Sequence, residues 1–497
     1  MIFMGTVQRR LRILSIIIFS GLLFFLLYWR LQVSQTRFFD VDEFSYMHWT
    51  AQIARGERMY TGFFSYFTPG FMWAFAPIFW IIGRSAAVFA AGRTVSFVIF
   101  LSILSALSYV WGITRGWKWA LLPAVILAFL PMPYDKFLEI RPDNLATLLA
   151  ILGVIGEIRA IQTQKKNWWL VSGLAYSASL FVLAKTLPIV AVGAGVALFF
   201  LPRSIMFFGG LVGPWALFFL GAAIQGNLKE VWYSLTRLPF EVYKSAANFP
   251  MEANLFFHPN ASFYGGNGHT VTSGLIVNHA LWVFAIIVGS YRLLLPFLTG
   301  EGKRRAAVEL LIAGIFFVSI FGYVKFFPLK HSQYLIPIAV FVAYYAADGL
   351  AAFFDWLRRA GGNVSLVIIL VGFCYLFIAV TKEVNAPKLL FTNTVEMREL
   401  TSLIDAVPPT ARVVDLEGRM VFWDDGYPIS SIPFDTFLSF VTRPPPPLAQ
   451  YLAAHPADYI YDGDSNRMAT LTAENLNFIR AHFAPVPGFG QRLWKRL

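Results

Sequence analysis

The sequence predicts an all-α polytopic membrane protein of about 11 transmembrane helices, with interfacial helices on the outer face and a small C-terminal α/β domain. Three observations predict it. Of the 497 residues, 57% are hydrophobic and only 14% charged, where soluble domains carry about 45–50% and about 25%. The apolar residues gather in long runs. Residues 381–497 depart from that pattern, being polar and Pro-rich at Pro444–Pro447. A single soluble globule, a disordered chain and a disulfide-stapled module are excluded, the last because Cys374 is the only cysteine. The net charge of +12 reads as topology signals and anionic lipid or phosphate ligands, with no nucleic acid partner.

A spanning helix needs about 20 mostly apolar residues. Eleven segments are candidates: 12–29, 86–111, 117–133, 143–160, 168–184, 187–201, 205–224, 275–295, 306–324, 332–354 and 364–380. The first follows Arg9, Arg10 and Arg12 with no small-residue cleavage site behind it, which reads as a retained signal anchor. The run Pro69–Gly83 is apolar but short and rich in Phe and Trp. The positive-inside rule places it. If it lies in the outer interface, the inner loops receive Arg115/Lys118, Arg159/Lys165/Lys166, Arg203, Arg292/Lys303/Arg304/Arg305 and Arg358/Arg359. The N-terminus is then cytoplasmic and the tail extracytoplasmic. Residues 1–380 form the transmembrane domain. Residues 381–497 form the outer one, with strands expected at Ala411–Leu416 and Asp458–Tyr461 and a helix at Val395–Ala406.

This topology collects the chemically capable residues on one side. Asp40-Val41-Asp42-Glu43 sits at the outer mouth of the first span. A helix is expected over Glu43–Arg55, with Phe44, Met47, Ala51 and Ala54 on one face. Asp42 stands where its N-cap belongs. It either caps only, with Glu43 complementing the helix dipole, or also serves as a general base. A second group, Glu139-Ile-Arg141-Pro142-Asp143, opens the fourth span. Asp143 is either ordinary first-turn chemistry or faces the same cavity as Asp42 with Arg141, since carboxylates at membrane depth are costly. The third group is basic: Lys185, Lys325, Lys330 and His331. These cations either snorkel to headgroups or converge on a phosphate. No phosphate-binding Gly-x4-Gly-Lys-Ser/Thr loop, His-Glu-x-x-His or cysteine pair is present.

In this order the residues resemble the polytopic glycosyltransferases of the GT-C fold. The likeness is greatest to glycosyltransferase family 39 and its relatives, the protein O-mannosyltransferases and lipid A aminoarabinose transferases. It runs through Asp42-Glu43, Ala54-Arg-Gly56 to Tyr60, the aromatic run Pro69–Trp80 and Arg93-Thr-Val-Ser96. It continues at Arg141-Pro142-Asp143 and His331-Ser-Gln333-Tyr334. It covers most of residues 12–355, and the additional Asp40 departs from it.

The resemblance implies an inverting transfer of a sugar from a polyprenyl-phosphate donor to an acceptor hydroxyl on a lipid, glycan or protein. The enzyme would sit among the lipids of a bacterial inner membrane and act at the outer face. Asp42 is the expected base, with Glu43 beside it, and Asp143 a second catalytic acid. Arg141, Lys185, Lys325, Lys330, His331, Tyr46 and Tyr334 are expected to bind substrate. No cofactor is implied with certainty, though a divalent metal is compatible. The chemistry agrees: an attacking hydroxyl needs a base, and a departing phosphate needs cations. A competing class, a lipid-linked sugar flippase, would place polar residues along several spans. A scaffold presenting the tail would leave the acidic first loop unexplained.

Overall fold

The structure, a computed structural model, describes residues 2–241, 272–300, 302–327, 331–430, 441–463 and 466–497. Lys330 and most of loop 225–274 lie outside the described residues.

The chain opens with α1 (Ile2–Thr36), α2 (Val41–Ala54) and α3 (Gly70–Ile82). The bundle continues with α4 (Ala87–Arg115), α5 (Leu122–Phe129), α6 (Pro142–Thr163), α7 (Lys166–Val182), α8 (Leu187–Leu198) and α9 (Ile205–Ile224). A short α10 (Leu228–Trp232) follows. Then come α11 (Ser273–Thr299), α12 (Lys303–Lys325) and α13 (Ile336–Asn385). Helix α13 breaks into two limbs at Gly362, whose φ of 72° is open to glycine and costly for other residues.

All eleven apolar segments are helical. Among the described residues eight helices are long and apolar enough to cross a membrane. The segments 117–133, 168–184 and 187–201 hold shorter helices that still run between the two charged ends of the bundle. There the helices are Trp117–Phe129, Lys166–Val182 and Ala184–Leu198. The physical reason is local. Helix α5 stops before Pro131 and Pro133, where the chain unwinds into loop 130–141. Helices α7 and α8 meet at an extended Leu183 and a single turn carrying Lys185. Irregular backbone at membrane depth is tolerated where it is buried in protein or lines a cavity, and these breaks deliver charged residues to one end of the bundle.

Charged pairs fix the direction of the helices. At one end Arg93 of α4 meets Glu43. At the other, Arg115 of α4 meets Glu309 of α12 and Asp348 of α13, which also holds Arg292 of α11. Twenty-two residues of α-helix separate Arg93 from Arg115, about 33 Å, close to the hydrocarbon thickness of about 30 Å. The chain is a multi-pass membrane protein. Helix α3 lies at the Arg93 end, where its Trp80 indole donates to Ala54 of α2.

After α13 come α14 (Thr394–Ala406), α15 (Leu448–Ala454) and α16 (Ala473–His482). They accompany a five-stranded sheet of order β2-β1-β3-β5-β4. Its strands are β1 (Arg412–Asp415), β2 (Asp424–Asp425), β3 (Tyr459–Tyr461), β4 (Phe483–Pro485) and β5 (Leu493–Arg496). β1 runs parallel to β2 and β3, and β5 antiparallel to β3 and β4. This small α/β unit sits on the Arg93 end. Arg84 donates to Ile404 and Val407, and the Phe39 amide donates to Glu396.

Candidate functional site

Helix α2 begins two residues earlier than expected. Its N-cap is Asp40, at extended φ/ψ of −70° and 144°. Asp40 accepts from the Asp42 amide at 3.0 Å, and Glu43 returns to the Asp40 amide at 2.9 Å. This reciprocal capping box needs a carboxylate three residues after the cap. Asp40 has one in Glu43, whereas Asp42 has Ser45. Asp42 is therefore a first-turn residue with its carboxylate released from capping, which corrects the expectation that it caps.

The register gives α2 three faces. On the first, Glu43 is fully buried and accepts four bonds: Arg93 Nε at 3.0 Å, Arg93 Nη2 at 2.8 Å, the Ile140 amide at 2.9 Å and the Asp40 amide. Gly92 permits this approach, since a Cβ there would lie 2.7 Å from Ile140. On the second face His48, Gln52 and Arg55 meet the backbone carbonyls of Met420, Trp423 and Phe422. On the third, Tyr46 and Trp49 pack against Phe67, and Asp42 faces Arg141.

Loop 130–141 brings the counter-charges. Lys136 donates to Asp40 at 2.7 Å and to both oxygens of Glu139, at 2.9 and 3.0 Å. Glu139 also accepts from Arg37 at 2.9 Å and Arg141 at 3.0 Å. Asp135 accepts from Lys388 at 2.8 Å. Burial alone would raise the Asp40 carboxyl, but the charges of Lys136 and Arg141 outweigh it and hold it well below the usual range.

Arg141 is the pivot. It is buried, donating to Asp42 at 2.8 Å and to Glu139, while its Nε lies 3.7 Å from Asp143 Oδ2 without a hydrogen bond. Asp143 lies 3.6 Å from Lys185. The Lys185 ammonium stands 4.1 Å from the ring centre of Tyr334, which stacks on Phe327 and meets the His331 ring edge-on. At the two ends of this line the Asp42 side chain is 44% exposed and that of Lys185 26%. His331 is held below its ordinary value by burial and by the charges of Lys185, Lys136 and Arg141, against Asp42. Its imidazole is therefore neutral near pH 7. Asp143, Lys185 and Tyr334 also line a cleft of about 420 Å³, open mouth included, whose walls include Leu183, Ile189, Phe327 and Ile338.

The structure thus gathers Asp42, Asp143, Arg141, Lys185, His331 and Tyr334. Tyr46 lies behind them, its buried ring centre 5.9 Å from the Arg141 guanidinium. Glu43 stands apart from the open site, spent on Arg93 and the backbone. Lys325 is exposed at the end of α12 with no ion pair among the described residues, and Lys330 is not described. Sequence reasoning missed Lys136, Arg37 and Lys388. A usable signal was Lys136 itself, a lysine between Asp135 and Glu139 in a loop joining two apolar helices.

No three His, Cys, Asp or Glu side chains among the described residues are grouped to hold a metal. Asp42 and Asp143 have the Arg141 guanidinium set between them. The space a bridging divalent ion would use is taken by a cation of the chain, so these two carboxylates do not fit one.

No family model and no curated protein matches the chain. Solved structures do. The oligosaccharyltransferase AglB from Archaeoglobus fulgidus, in complex with an inhibitory peptide and a dolichol-phosphate, is similar over 94% of this chain and 72% of its own, at 12% identity and a TM-score of 0.53. The same archaeal enzyme tethered to an acceptor peptide gives 0.52, with the same identity and coverage. ArnT from Cupriavidus metallidurans bound to undecaprenyl phosphate is similar over 93% of this chain and 89% of its own, at 12% identity and a TM-score of 0.50. The chain has the fold of these GT-C glycosyltransferases, as its motifs implied.

Proposed function

We propose that the protein is a membrane glycosyltransferase that moves a sugar from a polyprenyl-phosphate donor to an acceptor hydroxyl on the outer face of the membrane. The observation that carries this is the line Asp42–Arg141–Asp143–Lys185. It puts an accessible carboxylate at one end and an accessible ammonium at the other, beside an apolar cleft. The similar structures hold a dolichol-phosphate, an acceptor peptide and undecaprenyl phosphate, which supports a lipid-linked donor and a separate acceptor.

In this reading Asp42 accepts the proton of the acceptor hydroxyl as its oxygen attacks the anomeric carbon. The bond from that carbon to the phosphate oxygen breaks in the same displacement, which inverts the configuration. Lys185 meets the charge left on the phosphate, and neutral His331 donates a hydrogen bond to it. Arg141 does not serve as a free phosphate ligand, because its donors are committed to Asp42 and Glu139. It orients Asp42 instead, and Asp143 holds Arg141 and Lys185 in register. Glu43 fixes α2 against α4. No step passes through a metal. The catalytic part is the helical bundle, residues 1–380, and the tail 381–497 covers it from outside. The setting is a bacterial inner membrane, with the N-terminus cytoplasmic.

The test is transfer by the purified protein from a panel of polyprenyl-phosphate hexoses and pentoses to lipid, glycan and peptide acceptors. Release of free polyprenyl phosphate in step with acceptor glycosylation is the expected result. No turnover with any donor, together with sugar-lipid translocation across vesicles, would replace this reading with a flippase.

A further inference from the structure

The cleft beside Lys185 contains more hydrogen-bonding chemistry than a phosphate needs. Thr147 lies one turn along α6 from Asp143, on the same face, and Ser319 enters the cleft from α12. Both are buried, at 2% and 7% exposure. Among the described residues neither hydroxyl has a hydrogen-bond partner, and neither does Asp143 Oδ2. Serine and threonine in a membrane helix commonly satisfy themselves on the carbonyl one turn back. On α4, Thr94, Ser102, Ser105 and Thr114 all do so. Ser96, Ser177 and Thr381 are orphaned elsewhere, but Thr147 and Ser319 are the two that line this cleft. Each unmade buried bond costs about 1–3 kcal/mol, so three orphaned oxygens lining one cleft point to a ligand that completes them.

The walls narrow the ligand class. Apolar side chains and the Tyr334–Phe327 stack enclose the cleft, and among the described residues the only cation lining it is Lys185. An alkyl chain would fill the walls but leave the three oxygens unpaired. A sugar ring satisfies both, with C–H faces for the apolar walls and hydroxyls for the orphaned oxygens. We propose that this cleft receives the donor's sugar, and that Thr147, Ser319 and Asp143 read its hydroxyls below the phosphate held by Lys185. The proposal rests on the glycosyltransferase reading and adds the sugar subsite to it.

The test uses the near-isosteric variants Thr147→Val and Ser319→Ala in the full chain. Two ligands are titrated: undecaprenyl phosphate alone, and undecaprenyl phosphate carrying one hexose (glucose, mannose and galactose in turn). The wild type should bind one of the sugar-bearing lipids more tightly than the bare lipid. Each variant should lose about tenfold on that lipid, about 1.4 kcal/mol, and keep its affinity for the bare lipid. Equal losses on both ligands, or none on either, would overturn the proposal. So would a wild type with no preference for any sugar-bearing lipid. If Thr147→Val melts far below the wild type, Ser319→Ala decides alone. Because the readout is binding, a wild type that prefers the sugar lipid yet never transfers it would sink the transferase reading and leave the subsite standing.

Discussion

The two ends of the bundle solve the same electrostatic problem differently. At the far end Arg115 and Arg292 face Glu309 and Asp348. Arg115 donates to both acids and Arg292 binds Asp348 through two nitrogens. Arg115, Glu309 and Asp348 are nearly buried, and the partly exposed Arg292 is held on Asp348. At the site end Glu43–Arg93 and Lys136–Glu139 are equally closed. The line continues, however, from Arg141 to an Asp42 that solvent reaches and through Asp143 to a Lys185 that solvent reaches. Buried ion pairs are weak evidence for stability because desolvation offsets attraction. The difference teaches that here they act as a frame, closed where only helices meet and open-ended where charges must be presented.

The comparison breaks most sharply at Asp42. Asp42→Asn keeps a bond to Arg141 but cannot accept a proton. We expect transfer to fall by about 10²–10⁴-fold, with thermal unfolding in detergent close to wild type. Asp40→Asn keeps an N-cap and should be far milder. Comparable activity in Asp42→Asn and wild type would remove the base from the mechanism.

Breaking the frame is the next largest effect and falls on both ends. Arg93→Ala and Arg115→Ala each strand buried carboxylates and should cost about 3–5 kcal/mol of stability. At a temperature where both variants remain folded, Arg93→Ala should also lose turnover, because Glu43 no longer fixes α2, whereas Arg115→Ala should turn over normally. Matching kcat values for the two would erase the distinction between the ends.

The open end can be probed more gently. Lys185→Ala should raise the donor KM about tenfold, about 1.4 kcal/mol, with little effect on melting. An unchanged KM would mean that the ammonium merely snorkels. Incubation with EDTA should leave turnover unchanged, because Arg141 occupies the space between Asp42 and Asp143. Loss of activity restored by a divalent ion would contradict that geometry.

The smallest effect concerns the tail. Burial first, then the nearby Asp415 and Asp462, raise Glu417 to about 7, against Arg419 and Arg467. A carboxyl with a raised folded value binds its proton more tightly when folded. Its stability contribution is therefore full below the unfolded value of 4.5 and is lost as pH rises towards 7. Glu417→Gln should flatten that fall, measured as tail melting at about pH 5 and about pH 8. Parallel melting curves for variant and wild type would rule Glu417 out.

What the sequence revealed follows from which signals are local. Apolar runs marked all eleven helical segments because hydrophobicity is read residue by residue. Segments 117–133, 168–184 and 187–201 run a few residues past their helices, which end at Phe129, Val182 and Leu198, because nothing local marks where an apolar helix unwinds to deliver Lys136 or Lys185. The α2 register was recoverable, since Asp40-x-x-Glu43 is a capping pair and Asp42-x-x-Ser45 is not. Asp143 and Lys185 were picked out singly, but their meeting needed the fold. Lys388 on Asp135 and Met420 on His48 join residues 253 and 372 positions apart, which no local pattern encodes.

That last separation has a consequence for how the protein is made. The His48 face of α2 is covered by backbone that the ribosome adds 372 residues later. At about 5–20 residues per second, the uncovered helix waits roughly 20–75 s for its lid. During that interval Phe44, His48 and Gln52 present a half-apolar surface. A chain cut short before Met420 would carry every charged residue of the site and still lack the cover that holds their helix in place. The cover of α2 is thus completed only when synthesis of the chain is almost finished.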